Sequence, residues 1–335
     1  MTDASGVSVA IVAHDDAEDL PDCLAAVGRQ SHRPLELLVV DCASRDGSPE
    51  VARQRAPAGV PTRVIELDDN AGFAGGMNVA FRASDAPFFF TLNADALLAT
   101  DYIARLVERA GRSRGERPGA LTGRLARPGE PPTLDACGFH LVPAWRHLDR
   151  GSGEPDRGQY DRAERVFGAT GAATLWLRAA IEDVALAPGE MFDPWFHTFR
   201  EDAELCFRLA ERGWAVLYEP AARALHRRGV LPERRRQLSA LANRNSLRNR
   251  YLLRLYHQTA ANFVATLPFT LARDLGALAW VLAVERSSLA AYGWLLRHRR
   301  EVLARRRAIQ ARRTARPAEL GRWFRARSLP LAEEP

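Results

Sequence analysis

The stretch APFFFTLNAD, residues 86–95, decides the fold of this chain. A short apolar run that is rich in aromatic residues and bounded by Pro87 is typical of a buried strand. It leads directly into Asn93 and Asp95, at the expected carboxyl end of a parallel strand, and ligands of open α/β sheets bind at that edge. A carboxylate held there can bind a divalent cation against phosphate oxygens. Taken alone, the pattern also fits an aspartate that serves only as a turn residue.

Three strand-like segments precede this stretch and alternate with helical ones. Residues 7–13, 35–40 and 62–67 are apolar runs, and the first is followed by an apolar stripe at helical spacing over residues 20–27. This β-α-β-α-β-α-β order predicts an α/β fold with a Rossmann-like, doubly wound, mainly parallel sheet. Strands at about 172–177 and 215–218 and a helix at 201–212 complete the prediction, and residues 126–165 are expected to form a long loop or hairpin over the site.

Polar residues stand where these strands end. Asp15 and Asp41 follow the first two strands, so we expect them to meet Asp95 at one edge of the sheet, although turn chemistry explains each of them singly. Residues 72–76 form a glycine-rich loop ahead of a helix predicted from about Met77. Free N–H groups and the helix dipole at that point suit an anion. Glycine is equally common in ordinary tight turns.

Several classes of protein are disfavoured. No Gly-x-Gly-x-x-Gly follows the first strand, which argues against a Rossmann dehydrogenase, and a chain whose basic residues are all arginine has no phosphate-binding loop with its lysine. The four cysteines are scattered singly, which argues against a zinc site or a disulfide framework and suits a reducing cytoplasm. No signal-peptide pattern is visible at the N-terminus, so secretion is not expected.

Charge divides the chain into two unequal parts. Residues 231–335 hold 21 arginines and seven acidic residues, a net charge of +14, whereas residues 1–230 hold 26 arginines and 34 acidic residues, a net charge of −8. Such asymmetry indicates two different roles. We therefore predict a nucleotide-sugar-binding and catalytic domain at 1–232 and a basic α-helical C-terminal region at 233–335, helical from about residue 237 to 313.

Loose motifs along residues 7–230 carry a resemblance to a known family. They occur in the family's order and are VVDCASRDGS at 39–48, NAGFAGG at 70–76, LNAD at 92–95, FREDAELCFR at 199–208, GWAVLYEP at 213–220, and His226. Together they resemble the family-two inverting glycosyltransferases of the GT-A fold, with the rhamnosyltransferase-like branch as the nearest relative.

The resemblance implies a role for each matching position. Asp202 would be the catalytic base, and Asp95 with His226 would hold Mn²⁺ or Mg²⁺. The alternatives are that Glu201 and Asp202 are only first-turn acids of a helix and that His226 is a surface histidine. The residues implied to contact the donor nucleotide sugar are Ala13, Asp15, Asp41, Ser44, Asn70, Gly72, Phe73, Asn93 and Asp95.

Some positions depart from the family pattern. Asn93 stands where the family commonly has an aspartate, which removes a charge from the metal site, and Cys42 and Met77 stand where it commonly has asparagine. Trp195 and its aromatic neighbours Phe196 and Phe199 either line an acceptor pocket or simply pack.

The reaction implied is inverting, metal-dependent transfer of a single sugar, because the Gln-x-x-Arg-Trp motif of processive synthases is missing after Asp202. The donor would be dTDP-L-rhamnose or, second, a UDP-hexose. The acceptor would be a saccharide or a lipid-linked glycan of cell-wall or polysaccharide biosynthesis. A catalytically silent nucleotide-sugar-binding or scaffold protein is the alternative from a different class.

The basic C-terminal region contains an apolar segment at residues 262–284. It is nearly long enough to span a bilayer, but Arg273 and Asp274 in its middle and Pro268 disfavour insertion. A helix in the membrane interface, or one packed on the catalytic domain or on a second subunit of a homodimer, fits better. Its arginines would then meet anionic headgroups on the inner face of the cell membrane, or form a solvated basic face. Nucleic-acid binding is not expected, because no stacking platform or recognition module is visible.

Overall fold

A mixed β-sheet lies at the centre of the protein, whose computed structural model describes residues 5–129, 132–228 and 239–331. Its strands are β1 (Val7–Ala13), β2 (Leu35–Cys42), β3 (Thr62–Leu67), β4 (Phe88–Leu92), β5 (Ala96–Leu98), β6 (Pro118–Arg127), β7 (Thr133–Ala136), β8 (Phe139–Val142), β9 (Arg146–Asp149), β10 (Glu164–Val166), β11 (Ala173–Leu177), β12 (Ala215–His226) and β13 (Leu329–Pro330).

The helices cover both faces of the sheet and form the C-terminal region. They are α1 (Leu20–Gly28), α2 (Ser48–Gln54), α3 (Gly72–Arg82), α4 (Tyr102–Arg112), α5 (Arg178–Val184), α6 (Glu201–Glu211), α7 (Ala240–His257), α8 (Ala260–Ala283), α9 (Leu289–Arg297), α10 (Arg299–Ala311) and α11 (Pro317–Arg322).

The strand order is β13-β10-β12-β6-β11-β4-β1-β2-β3, with β5 added to β12 and β7 to β6. The half formed by β4, β1, β2 and β3 is entirely parallel, which confirms the predicted doubly wound arrangement. In the other half, β11 runs antiparallel to both β4 and β6, and β12 runs parallel to β6. Strands β8 and β9 pair with each other as a separate hairpin. Residues 126–165, for which a long loop or a hairpin was expected, therefore contain a hairpin.

One predicted boundary is wrong. The helix expected from Met77 begins at Gly72, so the glycine-rich segment is the first turn of α3 and not a loop ahead of it. Two contacts hold this turn: Asn70 Oδ1 accepts from Gly72 N at 2.8 Å, and His197 O accepts from Ala74 N at 2.9 Å. Tertiary contacts thus override the low helix propensity of glycine. They also occupy two of the N–H groups expected to be free for an anion.

Only glycine fits at position 72. Gly72 has a φ of +70°, and a Cβ there would lie 2.5 Å from the carbonyl oxygen of His197. The N-terminus of α3 is therefore packed directly against the loop at residues 197–200, which is called the residue 197 loop below.

The C-terminal helices share a hydrophobic core with the sheet. The buried residues that continue this core are Leu252, Leu253, Tyr256, Val302, Ile309, Leu320, Trp323 and Phe324. Strand β13 then pairs with β10 at the sheet edge. The predicted domain boundary after residue 232 lies outside the described residues. By length and hydropathy, no single helix of the described residues could cross a membrane, but α8 and residues 286–297, bent by 119°, meet the criteria as a pair.

Candidate active site

The ends of β1 and β2 form the first wall of the site. Ala13 and Asp41 are direct partners in the parallel ladder, so the loops that follow them lie side by side. Ser44 connects these loops, because its Oγ donates to Asp41 Oδ1 at 2.5 Å and accepts from Asp15 N at 2.9 Å. Two of the three aspartates expected at this edge are thus linked through Ser44, with Asp41 buried and Asp15 exposed.

A second group forms where β12 reaches β5. His226 pairs with Ala96 in the antiparallel ladder, which places its side chain next to Asp95. The Nε2 atom of His226 lies 3.1 Å from Asp95 Oδ1 and 3.5 Å from the side-chain nitrogen of Asn93. Because only 6% of His226 is exposed, the surface alternative for this residue is wrong.

Asp135 on β7 supports His226 from behind, and no sequence pattern singled it out. Its Oδ2 lies 2.7 Å from His226 Nδ1, and its Oδ1 accepts from Arg228 at 2.8 Å and from Arg127 at 3.1 Å. Although burial acts in the opposite direction, the contacts with His226 and Arg228 hold the pKa of Asp135 well below its usual value. An aspartate 1% exposed is thereby kept ionised.

His226 is charged in this arrangement. Burial lowers its pKa, but its hydrogen bonds to Asp135 and Asp95 raise it overall, to about 9. Arg228 extends the network, because its second amino group donates to Asp149 of the β8–β9 hairpin at 2.7 Å. The residues at the end of β12 therefore hold both the His226 imidazole and the β8–β9 hairpin in place.

Asp202 lies at the start of α6. Its Oδ2 accepts from Gly171 N at 3.1 Å, and its Oδ1 accepts from Ala203 N at 2.7 Å. Burial outweighs these two bonds and raises the pKa of Asp202 to about 6. Burial, followed by the charge of Asp202, raises the pKa of Glu201 well above its usual value. Asp202 is thus a carboxylate that can both accept and retain a proton near neutral pH.

The two groups of acidic residues are connected through Gly171 and Ala172, which directly precede β11. Gly171 binds Asp202, and the carbonyl of the next residue, Ala172, accepts from Asn93 N at 2.9 Å. The Phe73 ring closes the same corner, because a Cβ on Gly171 would lie 3.0 Å from it and 4.0 Å from the Asp202 Cβ. The structure therefore links Asp202 and Phe73 to Asn93, which neighbours the Asp95–His226 pair.

Comparisons with known proteins agree with this geometry. The model of the Glycosyl transferase family 2 matches residues 8–117. An N-acetylglucosaminyl-diphospho-decaprenol L-rhamnosyltransferase of Mycobacterium tuberculosis is 28% identical over 249 residues, which cover 68% of this chain and 76% of that protein. The chain is a glycosyltransferase of the GT-A fold, and its residues 8–117 form a Glycosyl transferase family 2 domain.

Solved structures support the fold. A mannosyltransferase of Pyrobaculum calidifontis, solved with GDP-Man and Mn²⁺, gives a TM-score of 0.52 at 18% identity and covers 91% of this chain and 85% of its own. The GalNAc-T7 structure with UDP, GalNAc and Mn²⁺ gives 0.55 at 14% identity. This glycosyltransferase covers 48% of the length of GalNAc-T7, and 75% of its own chain is matched.

The chemistry of the donor set fits a divalent cation. Within the described ranges, no cluster of three or more His, Cys, Asp or Glu side chains is arranged to hold a metal ion. Asp95 and His226 nevertheless offer a carboxylate oxygen and an imidazole nitrogen 3.1 Å apart. Two adjacent ligands of an octahedral ion, each at about 2.1 Å, lie about 3 Å from one another. These residues therefore fit Mn²⁺ or Mg²⁺ if the proton between them is displaced and phosphate oxygens supply further ligands.

The aromatic residues before Asp202 pack against the C-terminal helices of the glycosyltransferase. The Trp195 ring meets Trp294 edge-on at 5.0 Å between centroids and lies under the Arg305 guanidinium at 4.2 Å. Phe196 is completely buried against Tyr256. Packing, and not the lining of an acceptor pocket, accounts for both residues.

Asn249 on α7 holds the loop that leads to Asp202. Its Nδ2 atom lies within 2.7–3.0 Å of the carbonyl oxygens of Phe196, Thr198 and Phe199. The loop needs such support, because His197, Phe199 and Arg200 all have positive φ values between 56° and 74°. Strained backbone of this kind persists only where its surroundings fix it. No sequence pattern predicted this contact, which joins residues about 50 positions apart.

Substitution of Asn249 is expected to damage catalysis through this loop. Asn249→Ala should lower kcat and lower the stability by about 1–3 kcal/mol, because three buried carbonyls lose their donor. Asn249→Asp should be worse, since it places an acceptor against three acceptors. Thermal unfolding and initial rates measure both effects. Equal behaviour of the two variants would contradict the role given to the Nδ2 donor.

Proposed function

We propose that this chain is an inverting, metal-dependent glycosyltransferase that moves one sugar from a nucleoside-diphosphate donor to a saccharide acceptor. The observation that carries the proposal is the link between Asp202 and the Asp95–His226 pair, because Gly171 binds Asp202 and the next residue, Ala172, binds Asn93. One side offers ligands for a cation and a diphosphate, and the other offers a base with a raised pKa.

The donor is held at the carboxyl edge of the parallel strands. Asp41 and Asp15, linked by Ser44, face the base and ribose of the nucleotide, and Asn93 with Asp95 faces the diphosphate. Bound Mn²⁺ or Mg²⁺ would neutralise charge on the departing nucleoside diphosphate. Asn70 and Gly72 both contact His197, so they act on the site through the loop that carries this residue.

Asp202 removes the proton of the acceptor hydroxyl. As that oxygen forms a bond to the anomeric carbon, the bond from this carbon to the phosphate oxygen breaks and the proton moves to an Asp202 oxygen. The hydrogen bonds from Gly171 and Ala203 leave each Asp202 oxygen with a further lone pair for this purpose. A single displacement inverts the anomeric configuration.

The proposed donor and acceptor are supported by the relative that the chain matches over most of its length. Its name describes rhamnosyl transfer to a lipid-linked N-acetylglucosaminyl diphosphate. By analogy, dTDP-L-rhamnose is the proposed donor, with a UDP-hexose second, and a lipid-linked saccharide is the proposed acceptor. Such an enzyme would serve cell-wall or polysaccharide synthesis in the cytoplasm, at the inner face of the membrane.

Thermal unfolding with dTDP, UDP or GDP, each with and without Mn²⁺, tests the proposal. A metal-dependent rise in Tm with one nucleotide, abolished in Asp95→Asn, is expected and identifies the donor class. Transfer from the matching nucleotide sugar then follows by nucleotide release. If no nucleotide stabilises the protein with or without metal, the silent scaffold becomes the better account.

The rate of transfer should depend on pH through Asp202. Because its pKa is raised to about 6, the base is protonated and inactive below that pH and ionised above it. We expect kcat/KM, measured at subsaturating acceptor, to rise as pH increases through about 6 and then level off. A profile that is flat across this region would contradict the assignment of Asp202 as the base.

A further inference from the structure

Helix α8 turns its polar residues inward and its apolar residues outward. Asn262, Thr266 and Thr270 recur every four residues and are buried, and Thr266 Oγ1 accepts from the Trp145 indole N–H at 3.0 Å. The opposite, outer face carries apolar side chains that are each between 40% and 73% exposed, namely Val264, Leu267, Leu271, Leu275, Leu278 and Leu282. An apolar surface of this extent marks an interaction site.

Two charged residues of α8 bind other parts of the protein. Arg273 donates to the carbonyl of Ala144 at 2.9 Å, in the turn between β8 and β9. Asp274 accepts from Arg250 at 3.0 Å and from Arg254 at 2.6 Å, both on α7. The helix is therefore fixed to the hairpin and to α7 by polar contacts, and its apolar face is left pointing away from the protein.

A cluster of arginines lies at the inward side of α8. It comprises Arg146 at the start of β9, Arg200 at the start of α6, Arg250 on α7 and Arg273 on α8. Burial, and then the charges of Arg250, Arg200 and Arg146, lower the pKa of Arg273 to about 8. Burial, and then the charges of Arg200, Arg146 and Arg273, hold the pKa of His147 well below its usual value. The buried Nδ1 of His147 has no hydrogen-bond partner.

The cluster is close to the reaction site. Arg200 is two residues from Asp202 and its charge acts on that carboxyl. The hairpin that carries Arg146 ends at Asp149, which Arg228 binds beside His226. An anion held by the arginines would therefore lie near the acceptor hydroxyl.

We propose that the arginine cluster binds the phosphate groups of a lipid-diphosphate acceptor while the apolar face of α8 lies in the surface of the anionic bilayer that contains this lipid. The inference rests on the proposed glycosyl transfer and assigns its acceptor a binding site. Guanidinium groups are well suited to phosphate. A bilayer fits better than a second copy of this basic chain, because the C-terminal region carries a net charge of +14, which anionic headgroups attract.

Vesicle flotation with the full chain tests the membrane contact. The protein should float with vesicles of phosphatidylcholine and phosphatidylglycerol and much less with phosphatidylcholine alone. Leu275→Glu, at an outward position of α8, should weaken this binding about 10- to 100-fold. The matched control is Leu241→Glu, an exposed leucine on α7, which should bind as the wild type does.

Calorimetry with farnesyl diphosphate in EDTA tests the phosphate site separately from the metal. Arg146→Gln should weaken binding about 10-fold or more, because it removes a charge-assisted contact. Arg307→Gln removes the same charge from the exposed side of α10 and should have no effect. Farnesol reports the lipid tail alone and inorganic diphosphate the head alone, so each should bind more weakly than farnesyl diphosphate.

Each arm has a result that overturns the inference. Equal flotation of Leu275→Glu and the wild type would contradict the membrane contact. The contact would also be contradicted if the wild type sediments as a dimer without lipid and Leu275→Glu alone sediments as a monomer, because the apolar face would then bind a second copy of the chain. Equal affinity of Arg146→Gln removes the phosphate site, and inorganic diphosphate bound as tightly as farnesyl diphosphate removes the lipid. Nucleotide stabilisation with Mn²⁺ is measured in parallel, so failure of the donor site is distinguished from failure of the acceptor site.

Discussion

Replacement of Asp202 by asparagine is expected to lower kcat by about 10²- to 10⁴-fold, because the acceptor hydroxyl loses its proton acceptor. The amide has nearly the shape of the carboxylate and can still accept from Gly171 N. The donor side, which Asp41 and Asp95 form, is not altered. Nucleotide-induced stabilisation with Mn²⁺ should therefore be retained while transfer, followed by nucleotide release, is almost abolished.

Glu201→Gln is the matched control for this variant. Burial raises the pKa of Glu201 well above its usual value, so the neutral amide resembles the state that already exists. Full activity in Glu201→Gln with a large loss in Asp202→Asn would assign the base to Asp202. Loss of activity in both, with normal nucleotide binding, would show that the pair acts as a unit; an active Asp202→Asn would contradict the mechanism.

Asp202→Asn should also stabilise the fold. Folding raises the pKa of Asp202 from 3.8 to about 6, so the folded state binds the proton more tightly than the unfolded chain. The free energy of unfolding therefore falls as pH rises through this interval, and the loss persists at neutral pH. Asp202→Asn removes that cost, and its Tm should exceed that of the wild type at pH 7 but not at pH 4. A gain in stability with a loss of turnover is expected of a functional residue.

The elements and residues that could be predicted from the sequence are those marked by a pattern among neighbouring residues. The alternation of strands and helices predicted the parallel half of the sheet, and the register of Ala13 with Asp41 placed the strand ends together as expected. In α1 the predicted apolar stripe is buried. The start of α3 was missed, because Asn70 and His197 stabilise a glycine-rich turn that propensity alone disfavours.

The residues that support the site had no such signal. Asp135 lies on a short strand 91 positions before His226, and Asn249 reaches a loop 50 positions away. Their roles arise from pairing between distant segments: β7 adds to β6, β12 crosses to β5, and α7 packs beneath the residue 197 loop. No periodicity or motif encodes those contacts in a single sequence.

Asp135→Asn is expected to weaken both the metal site and the fold. The carboxylate orients His226 through Nδ1, and loss of such a partner typically lowers metal affinity by about 10- to 100-fold. It also removes the buried carboxylate that pairs with Arg228 and Arg127, which are themselves partly exposed, and this should cost about 1–3 kcal/mol. Because the pKa of Asp135 is held well below its usual value, this stabilisation is present at neutral pH and is lost only as pH falls through the pKa of the folded state.

Mn²⁺ binding in the presence of nucleotide, measured by calorimetry, separates the two effects. Asp149→Asn is the control, because Asp149 binds the other side of Arg228 at 2.7 Å, whereas Asp135 binds both Arg228 and His226. Asp149→Asn should therefore reduce Tm while Mn²⁺ affinity is largely kept. If Asp135→Asn is destabilised to the same degree but binds Mn²⁺ as the wild type does, then Asp135 serves the buried ion-pair network alone. In that case the orientation of His226 must be set by Asp95 and by its register with Ala96 on β5.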